Sequence, residues 1–222
     1  MASSKIFVGV VFGGASGEHN VSIKSATTVL SALKLGANST KFEAKPIYID
    51  LKGRWWPTNI AHKALEKGTA LNEKELPFSS TNHGFQGLPE GNEEIEVWYP
   101  VLHGPNGEDG TVQGLFKLID KPFVGSGVLA SAVGMDKLAM KAAFATAGLP
   151  QVAYSAANSN ELTQKDLSQE LIERLESHIG YPCFIKPANL GSSVGITKAH
   201  NKRELITGLE EAAKLDQRIV IE

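Results

Sequence analysis

Hydrophobic residues along the first half of the chain follow two alternating periods. Residues 6–12 form a continuous apolar run, which is typical of a strand buried on both faces of a parallel sheet. Residues 21–33 have apolar positions at helical spacing. Residues 42–50 and 95–102 repeat the strand pattern, and helical spacing returns after residue 110. This alternation predicts an α/β domain with a parallel sheet.

The second half of the chain predicts a smaller α+β domain. Residues 128–147 are alanine-rich and helical, with an interruption at Gly134. We place the domain boundary near this helix, which gives domains 1–130 and 131–222. The order predicted beyond it is β-α-β-β-α-β, with strands at 152–155, 182–186, 194–199 and 218–222.

Two segments give weaker patterns. Residues 55–91 are polar and rich in Gly, Pro, Asn and Ser, which predicts an exposed segment with one short helix around residues 61–67. Residues 122–124 predict a short fourth strand of the first domain.

Composition excludes several classes of partner. The chain is 42% hydrophobic and 21% charged with a net charge of −2, so it lacks the basic surface that nucleic acid or an anionic membrane requires. No segment approaches the ~20 apolar residues of a membrane span, and the first apolar run is too short for a usual signal peptide. We therefore expect a cytoplasmic protein. The one cysteine, Cys183, lies in an apolar strand and is expected to be a buried thiol.

A glycine-serine loop within residues 184–197, FIKPANLGSSVGIT, carries the strongest chemical signal. The pattern predicts a strand, a phosphate-holding loop and a second strand, with Lys186 bringing a positive charge to the end of the first strand. Such a loop offers backbone N–H groups, hydroxyl donors and tight turns, here from Gly191, Ser192, Ser193 and Gly195. Alone, the stretch fits an anion site and a plain β-hairpin turn equally well.

The same loop contains Gly-x-Ser-x-Gly, the pattern of a hydrolase nucleophile elbow around Ser193. An elbow needs a helix directly after the serine, whereas β-branched residues follow here and favour a strand. Hydrolases also need an acid and then a histidine after the serine. Only His200 follows, and it precedes Asp216, so the context disfavours a serine hydrolase.

Two more polar loops join a strand end to a helix start, at residues 13–20 and 103–110. Ligands of parallel sheets bind at the carboxyl ends of the strands. Neither loop contains a dinucleotide or P-loop fingerprint. Glu18 either stabilises the helix dipole or holds a substrate ammonium group. His103, Glu108 and Asp109 are a weak metal-ligand set. The better interpretation is two acids that fix the loop and cap the helix, while His103 points to a ligand.

Four segments in sequence order resemble the D-alanine–D-alanine ligases of the ATP-grasp superfamily: VVFGGASGEHNVSIKSA, HGPNGEDGTVQG, SGVLASAVGMDKLAMK and PCFIKPANLGSSVGI. The second matches the family signature at every defined position. The resemblance implies an N-terminal Rossmann-like (pre-ATP-grasp) parallel-sheet domain that binds substrate, followed by the first α+β subdomain of an ATP-grasp fold. It covers nearly the whole chain but only the first two-thirds of a family member, and the chain stops in a strand. We therefore expect a truncated chain without the C-terminal subdomain.

The reaction implied by this resemblance joins two D-alanines at the expense of ATP, for peptidoglycan synthesis. ATP phosphorylates the carboxylate of the first D-alanine, and the amine of the second displaces the phosphate. On the matching positions, Glu18 would orient the first D-alanine through its ammonium group. His103 would lie near its carboxyl group, and Val21 belongs to the segment that contacts the same substrate.

ATP binding is implied for the second domain. Lys137, otherwise a solvated surface lysine, and Lys186 would hold the nucleotide phosphates. Ser192 would join Glu18 in a hydrogen-bond network behind the active site. Three more positions complete the resemblance: Ser193 and Gly195 would close over the phosphates, and Glu222 would begin the hinge that recognises adenine.

Mg²⁺ or Mn²⁺ and a homodimer are also implied by the resemblance. The metal ligands, an oxyanion-stabilising arginine and a mobile tyrosine loop would lie beyond residue 222. We therefore expect no metal ligand among these 222 residues and no ligase activity from them alone. Three alternatives stay open: a D-alanine–D-lactate ligase, another ATP-grasp carboxylate–amine ligase, and a catalytically incomplete nucleotide-binding fragment.

Overall fold

The computed structural model describes residues 5–77, 82–163 and 165–222, without the side chains of residues 165–168. The chain divides into two units, the first ending at Ala132 and the second comprising Val133–Glu222. The first unit has a mixed, largely parallel sheet, and the second has an antiparallel sheet.

The first unit contains the predicted parallel sheet. Its elements in chain order are β1 (Ile6–Gly13), α1 (His19–Leu33), α2 (Asn38–Lys41), β2 (Phe42–Ile49), β3 (Trp55–Trp56), α3 (Thr58–Lys67), β4 (Val97–Leu102), α4 (Thr111–Leu118) and α5 (Val128–Met135), the last containing the boundary between the units. The strand order is β3-β2-β1-β4, and β1 is parallel to both of its neighbours. Short β3 pairs antiparallel with β2. The α/β class expected for this part of the chain is confirmed.

Burial on both faces explains the continuous apolar run of β1. Val10 and Phe12 pack with residues of α1 and α3 on one face of the sheet. Val11 faces the other side, where Trp98 stacks on Phe116 of α4 with ring centroids 5.2 Å apart. A central strand covered by helices on both faces has no polar position, so its pattern does not alternate.

Ser22 ties three elements of this unit together near the strand ends. Its buried hydroxyl accepts a hydrogen bond of 2.8 Å from the Gly13 N–H and donates one to the Val101 carbonyl oxygen. The end of β1, the first turn of α1 and the end of β4 are thereby fixed to one another. The loops that follow β1 and β4 start from this fixed point.

Ser22→Ala is expected to lower the free energy of unfolding of the first unit by about 2 kcal/mol, because the buried Gly13 N–H would lose its partner. Ser31→Ala is the matched control: Ser31 lies on the same helix, is exposed and donates to the Thr27 carbonyl oxygen. Urea denaturation followed by tryptophan fluorescence measures this unit selectively, since all three tryptophans lie in it. Equal losses in the two variants would contradict the role assigned to Ser22.

The prediction of an exposed segment at residues 55–91 is wrong for much of its length. The segment contains β3 and the ten-residue helix α3, and Trp56, Ile60 and Leu71 are buried in the main cluster of this unit. The polar composition misleads because a few apolar residues at helical spacing suffice to bury one face. Residues 78–81 of this segment lie outside the described residues.

The strand predicted at residues 122–124 is also wrong. Phe123 makes a single bridge to Trp98, and no strand extends from it. Backbone hydrogen bonds from the Trp98 N–H to the Pro122 oxygen and from the Val124 N–H to the Trp98 oxygen complete this bridge.

The second unit packs helices on an antiparallel sheet. Its elements are α6 (Lys137–Thr146), β5 (Ser155–Asn158), α7 (Ser159–Thr163), α8 (Lys165–His178), β6 (Cys183–Pro187), β7 (Thr197–Ala199), α9 (Lys202–Ala213) and β8 (Arg218–Ile221). The strand order is β5-β8-β6-β7. Cys183 is buried in the core, as expected. In the described ranges, no helix has the length and apolar character that crossing a membrane requires.

Two strand predictions of the second unit need correction. The strand expected at residues 152–155 begins only at Ser155. The strand expected at residues 194–199 is confined to Thr197–Ala199, because the preceding residues form a turn in which Val194 is 51% exposed and Gly195 has a positive φ of 72°. The helix predicted with an interruption at Gly134 is interrupted instead at Asp136, whose side chain caps α6 by accepting from the Ala139 N–H.

Candidate functional site

The two polar loops of the first unit meet at the carboxyl ends of β1 and β4. The Ser16 hydroxyl donates to the His103 carbonyl oxygen at 2.9 Å. The Glu18 carboxylate lies against the backbone of Gly104, since a Cβ atom built there would be 2.8 Å from Glu18 Oε2. The structure thus brings Glu18 and the His103 loop together at the strand ends, where ligands of parallel sheets bind.

A glycine is required where β1 ends. Gly13 has a φ of 95°, and a Cβ atom there would lie 2.2 Å from the Ile49 carbonyl oxygen. The Gly14 N–H then donates to the same oxygen at 2.8 Å. This close approach of two strand ends directs the following loop towards the start of α1.

His103 and Val21 differ in their surroundings. His103 is half-buried, and its Nε2 lies 3.1 Å from the Ser25 hydroxyl on α1. Val21 is 50% exposed on the first turn of α1, so its side chain is open to a ligand. Glu18 occupies the N-cap position of α1, where an acid interacts favourably with the helix dipole, and its side chain makes no capping hydrogen bond.

The two acids of the second loop hold its backbone. Glu108 accepts from the Gly104 N–H at 2.7 Å, and Asp109 accepts from the N–H groups of Asn106 and Thr111 at 2.8 and 3.0 Å. The expected fixing of the loop is confirmed. Asp109 reaches α4 at its first residue, Thr111, while the N-cap position is Gly110, which has no side-chain capping hydrogen bond. Among the residues that the structure describes, no group of three or more His, Cys, Asp or Glu side chains could hold a metal ion.

A cavity of about 770 Å³ opens on the α4 side of these loops. Its lining is mainly apolar and includes Trp55, Phe85, Leu102, Leu115 and Leu118, together with His103. The volume suits a small-molecule ligand. Residues of both polar loops line it, among them Ala15 and His103, whereas Glu18 and Val21 do not.

The second unit gathers three lysines and one glutamate. Lys137, at the start of α6, donates to the carbonyl oxygens of Pro187 and Leu190 and is half-buried, so it is not a solvated surface lysine. Lys186 of β6 binds one carboxylate oxygen of Glu222, and Lys141 binds the other at 2.5 Å. Because two ammonium groups share one carboxylate, the Lys141–Glu222–Lys186 group keeps one positive charge for an anion.

The closeness of these charged groups shifts the pKa values of Lys137 and Glu222. Burial lowers the pKa of the Lys137 ammonium group, and the neighbouring charge of Lys186 lowers it further. Burial alone would raise the pKa of the Glu222 carboxyl group, but hydrogen bonds from Lys141 and Lys186 outweigh it and hold that pKa below its usual value. Glu222 is therefore ionised at neutral pH and neutralises part of the lysine charge.

The loop that follows Lys186 is a tight turn of left-handed residues. Ser192, Ser193 and Gly195 have φ values of 50°, 61° and 72°. Two non-glycine residues in this region are uncommon and make the loop a candidate ligand contact. The chain continues from this turn into strand β7 instead of a helix, so the context of a hydrolase elbow at Ser193 is absent.

Family profiles match both parts of the chain. The family model described as the N-terminus of D-ala D-ala ligase matches residues 7–126, and the one described as the C-terminus matches residues 143–222. The chain belongs to the D-ala D-ala ligase family. Two curated relatives, the D-alanine–D-alanine ligases of Synechococcus sp. (strain CC9311) and Prochlorococcus marinus (strain MIT 9313), are each 59% identical over all 222 residues. The chain spans 63% of the length of each.

Solved structures of D-ala D-ala ligase relatives share the fold. The VanG D-Ala:D-Ser ligase from Enterococcus faecalis is 30% identical with a TM-score of 0.76, covering 99% of this chain and 62% of that one. The D-alanine-D-alanine ligase from Coxiella burnetii is 28% identical with a TM-score of 0.74, covering 98% of this chain and 63% of that one.

Two buried polar residues of this member of the D-ala D-ala ligase family were not predicted from its sequence: His19 and Lys141. His19 is buried, with Nδ1 2.7 Å from the Gly14 carbonyl oxygen and Nε2 3.0 Å from the Tyr48 hydroxyl. A carbonyl only accepts, so Nδ1 carries the proton and Nε2 accepts from Tyr48. Burial lowers the pKa of His19 and favours this neutral form. Local sequence gives no signal for either residue, because tertiary packing buries them.

Proposed function

We propose that the protein is an ATP-dependent ligase that joins two D-alanines into the dipeptide used for peptidoglycan. The observation that carries the proposal is 59% identity, along the whole chain, to proteins named D-alanine–D-alanine ligase. Two polar centres support it: an acid and a histidine at the strand ends of the first unit, and a lysine cluster in the second.

Residues 1–130 are the proposed substrate-binding domain. The Glu18 carboxylate would bind the ammonium group of the first D-alanine through charge-assisted hydrogen bonds. His103 would lie near its carboxyl group, held in place by the contact with Ser25. Val21 would cover the substrate with its exposed side chain.

Residues 131–222 are the proposed nucleotide-binding subdomain. Lys137 and Lys186 would hold the phosphates of ATP, and the turn with Ser193 and Gly195 would close over them. The resemblance also implies a catalytic role for Ser192, which lies in the same turn. Glu222 would begin the segment that recognises adenine.

The proposed reaction transfers the γ-phosphoryl group to the carboxylate of the first D-alanine. The amine of the second D-alanine then attacks the acyl carbon, phosphate leaves, and a peptide bond forms. Lysine ammonium groups stabilise the charge on the transferring phosphoryl group, while the amino-acid centre positions the nucleophilic carboxylate.

Mg²⁺ or Mn²⁺, when bound, would supply charge neutralisation for the nucleotide phosphates. The described residues do not fit the metal: Glu222 is engaged by two lysines, and Asp216 accepts from the N–H groups of Asn189 and Arg218. No residue of this chain is therefore proposed as a metal ligand.

We propose the cytoplasm as the compartment, where ATP is available, and a homodimer as the assembly.

The deciding experiment incubates the protein, at the full length of its curated relatives, with ATP, Mg²⁺ and D-alanine, and measures phosphate and D-alanyl-D-alanine. Equal amounts of the two products are expected. Residues 1–222 alone should form no dipeptide above background. Phosphate without dipeptide from the full-length protein would contradict the proposal.

A second candidate is a ligase that accepts a different second substrate. It is favoured by the likeness to a protein described as a D-Ala:D-Ser ligase. Supplying D-serine or D-lactate beside D-alanine, with mass spectrometry of the product, separates the candidates. We expect the D-alanine dipeptide to dominate at neutral pH.

A further inference from the structure

Lys141 is a buried lysine to which no role in the proposed reaction has been given. Its residue is 8% exposed. Its ammonium group lies 2.5 Å from Glu222 Oε2 and 4.7 Å from the centre of the Tyr154 ring. Gln151 also donates to its backbone oxygen at 2.9 Å. An ammonium group enclosed in this way has little freedom to reach a ligand.

Glu222 divides its two carboxylate oxygens between two lysines. Oε2 binds Lys141 and Oε1 binds Lys186. The side chain of Lys186 is 21% exposed, against 10% for Lys141. Backbone hydrogen bonds between Glu222 and Phe184 fix the main chain at this point, at 2.6 and 3.0 Å. Lys186, the more accessible of the two lysines, can therefore turn towards a ligand, while the enclosed Lys141 stays on the carboxylate.

We propose that Lys141 is a positioning residue for nucleotide binding, which holds the Glu222 carboxylate in place so that the Lys186 ammonium group is available to phosphate. This inference rests on the proposed function. Without Lys141, both carboxylate oxygens of Glu222 would compete for Lys186, since it would be the remaining cation on that carboxylate. Nucleotide binding would then have to break a stronger ion pair.

The test measures ATP affinity of the full-length protein by isothermal titration calorimetry. Lys141→Met, which keeps the length of the side chain and removes its charge, is expected to weaken ATP binding about tenfold. Lys141→Arg keeps the cation next to Glu222 and Tyr154 and should restore most of the affinity. Lys198→Met, an exposed lysine of β7 in the same unit, is the matched control and should bind ATP like the parent protein.

A double-mutant cycle separates positioning from a general structural role. If Lys141 acts through Glu222, then Lys141→Met added to Glu222→Gln should change ATP affinity by less than about twofold. The same tenfold loss in both backgrounds would overturn the inference, because Lys141 would then act independently of Glu222.

Two further outcomes distinguish this inference from the proposed function. If the parent protein binds ATP and Lys141→Met binds it equally well, the inference is wrong and the ligase proposal stands. If the parent protein does not bind ATP, the proposed function fails and the inference fails with it. Melting temperatures of all variants, with Lys141→Arg as the charged and correctly folded reference, show whether a loss of affinity reflects unfolding.

Discussion

Lys186→Ala is expected to weaken ATP binding by the full-length protein on the order of a hundredfold. Lys141 and Lys186 share the Glu222 carboxylate, and Lys137 lies near enough for the charge of Lys186 to lower its pKa. Lys186 is half-buried and precedes, along the chain, the left-handed turn that we assign to the phosphates. Its removal takes away a charge-assisted hydrogen bond and lowers the charge that attracts the nucleotide.

Lys198→Ala is the control for this substitution because the two lysines share a neighbour. Each ammonium group lies 5.8 Å from the centre of the Phe184 ring, one from β6 and one from β7. Of these two lysines, only Lys186 of β6 pairs with Glu222. Nucleotide titrations of the two variants therefore compare lysines with similar contact to an aromatic ring but different contact to the cluster. Equal ATP affinities would remove Lys186 from the phosphate site.

The parallel sheet was predictable because burial on both faces leaves a strong pattern. Val10, Val11 and Phe12 are apolar in succession, since each face of β1 is covered by helices. The position of the glycine loop after β1 was also predictable, because Gly13 comes directly after this run and the chain then changes to helical spacing. These signals are local, and each is complete within about fifteen residues.

The parts that sequence reasoning missed depend on contacts between distant residues. Val194 has high strand propensity, but the left-handed conformation of the neighbouring Gly195 keeps it in an exposed turn. Lys141 looks like any helix-surface lysine, and only the return of the chain in β8 places Glu222 beside it. His19 is hidden in the same way, because its partner Tyr48 lies on the next strand.

For a similar reason, the sequence does not decide whether Glu18 stabilises the helix dipole or binds the ammonium group of a substrate. Both interpretations put a carboxylate at the start of α1, and the sequence does not show which residues from other parts of the chain lie beside that carboxylate. The structure places that carboxylate against Gly104 in the loop after β4. The carboxylate therefore faces the end of the neighbouring strand, where ligands of parallel sheets bind, and it makes no capping hydrogen bond with its own helix.

Glu18→Gln is accordingly expected to lower kcat/KM for D-alanine on the order of a hundredfold in the full-length protein, while KM for ATP changes less than about threefold. The amide keeps the shape of the side chain but loses the charge that would bind the substrate ammonium group. Steady-state kinetics with each substrate varied in turn measures the two effects separately.

Glu18→Asp distinguishes the two roles of this carboxylate. The aspartate keeps a negative charge at the start of α1, so it should retain the dipole stabilisation, which is about 0.3–1 kcal/mol. Its carboxylate is one methylene further from the substrate, so kcat/KM for D-alanine should still fall. Glu43→Gln, an exposed acid on β2, is the control for a lost surface charge. If Glu18→Asp has full activity and Glu18→Gln loses thermal stability with unchanged D-alanine kinetics, Glu18 serves the helix and not the substrate.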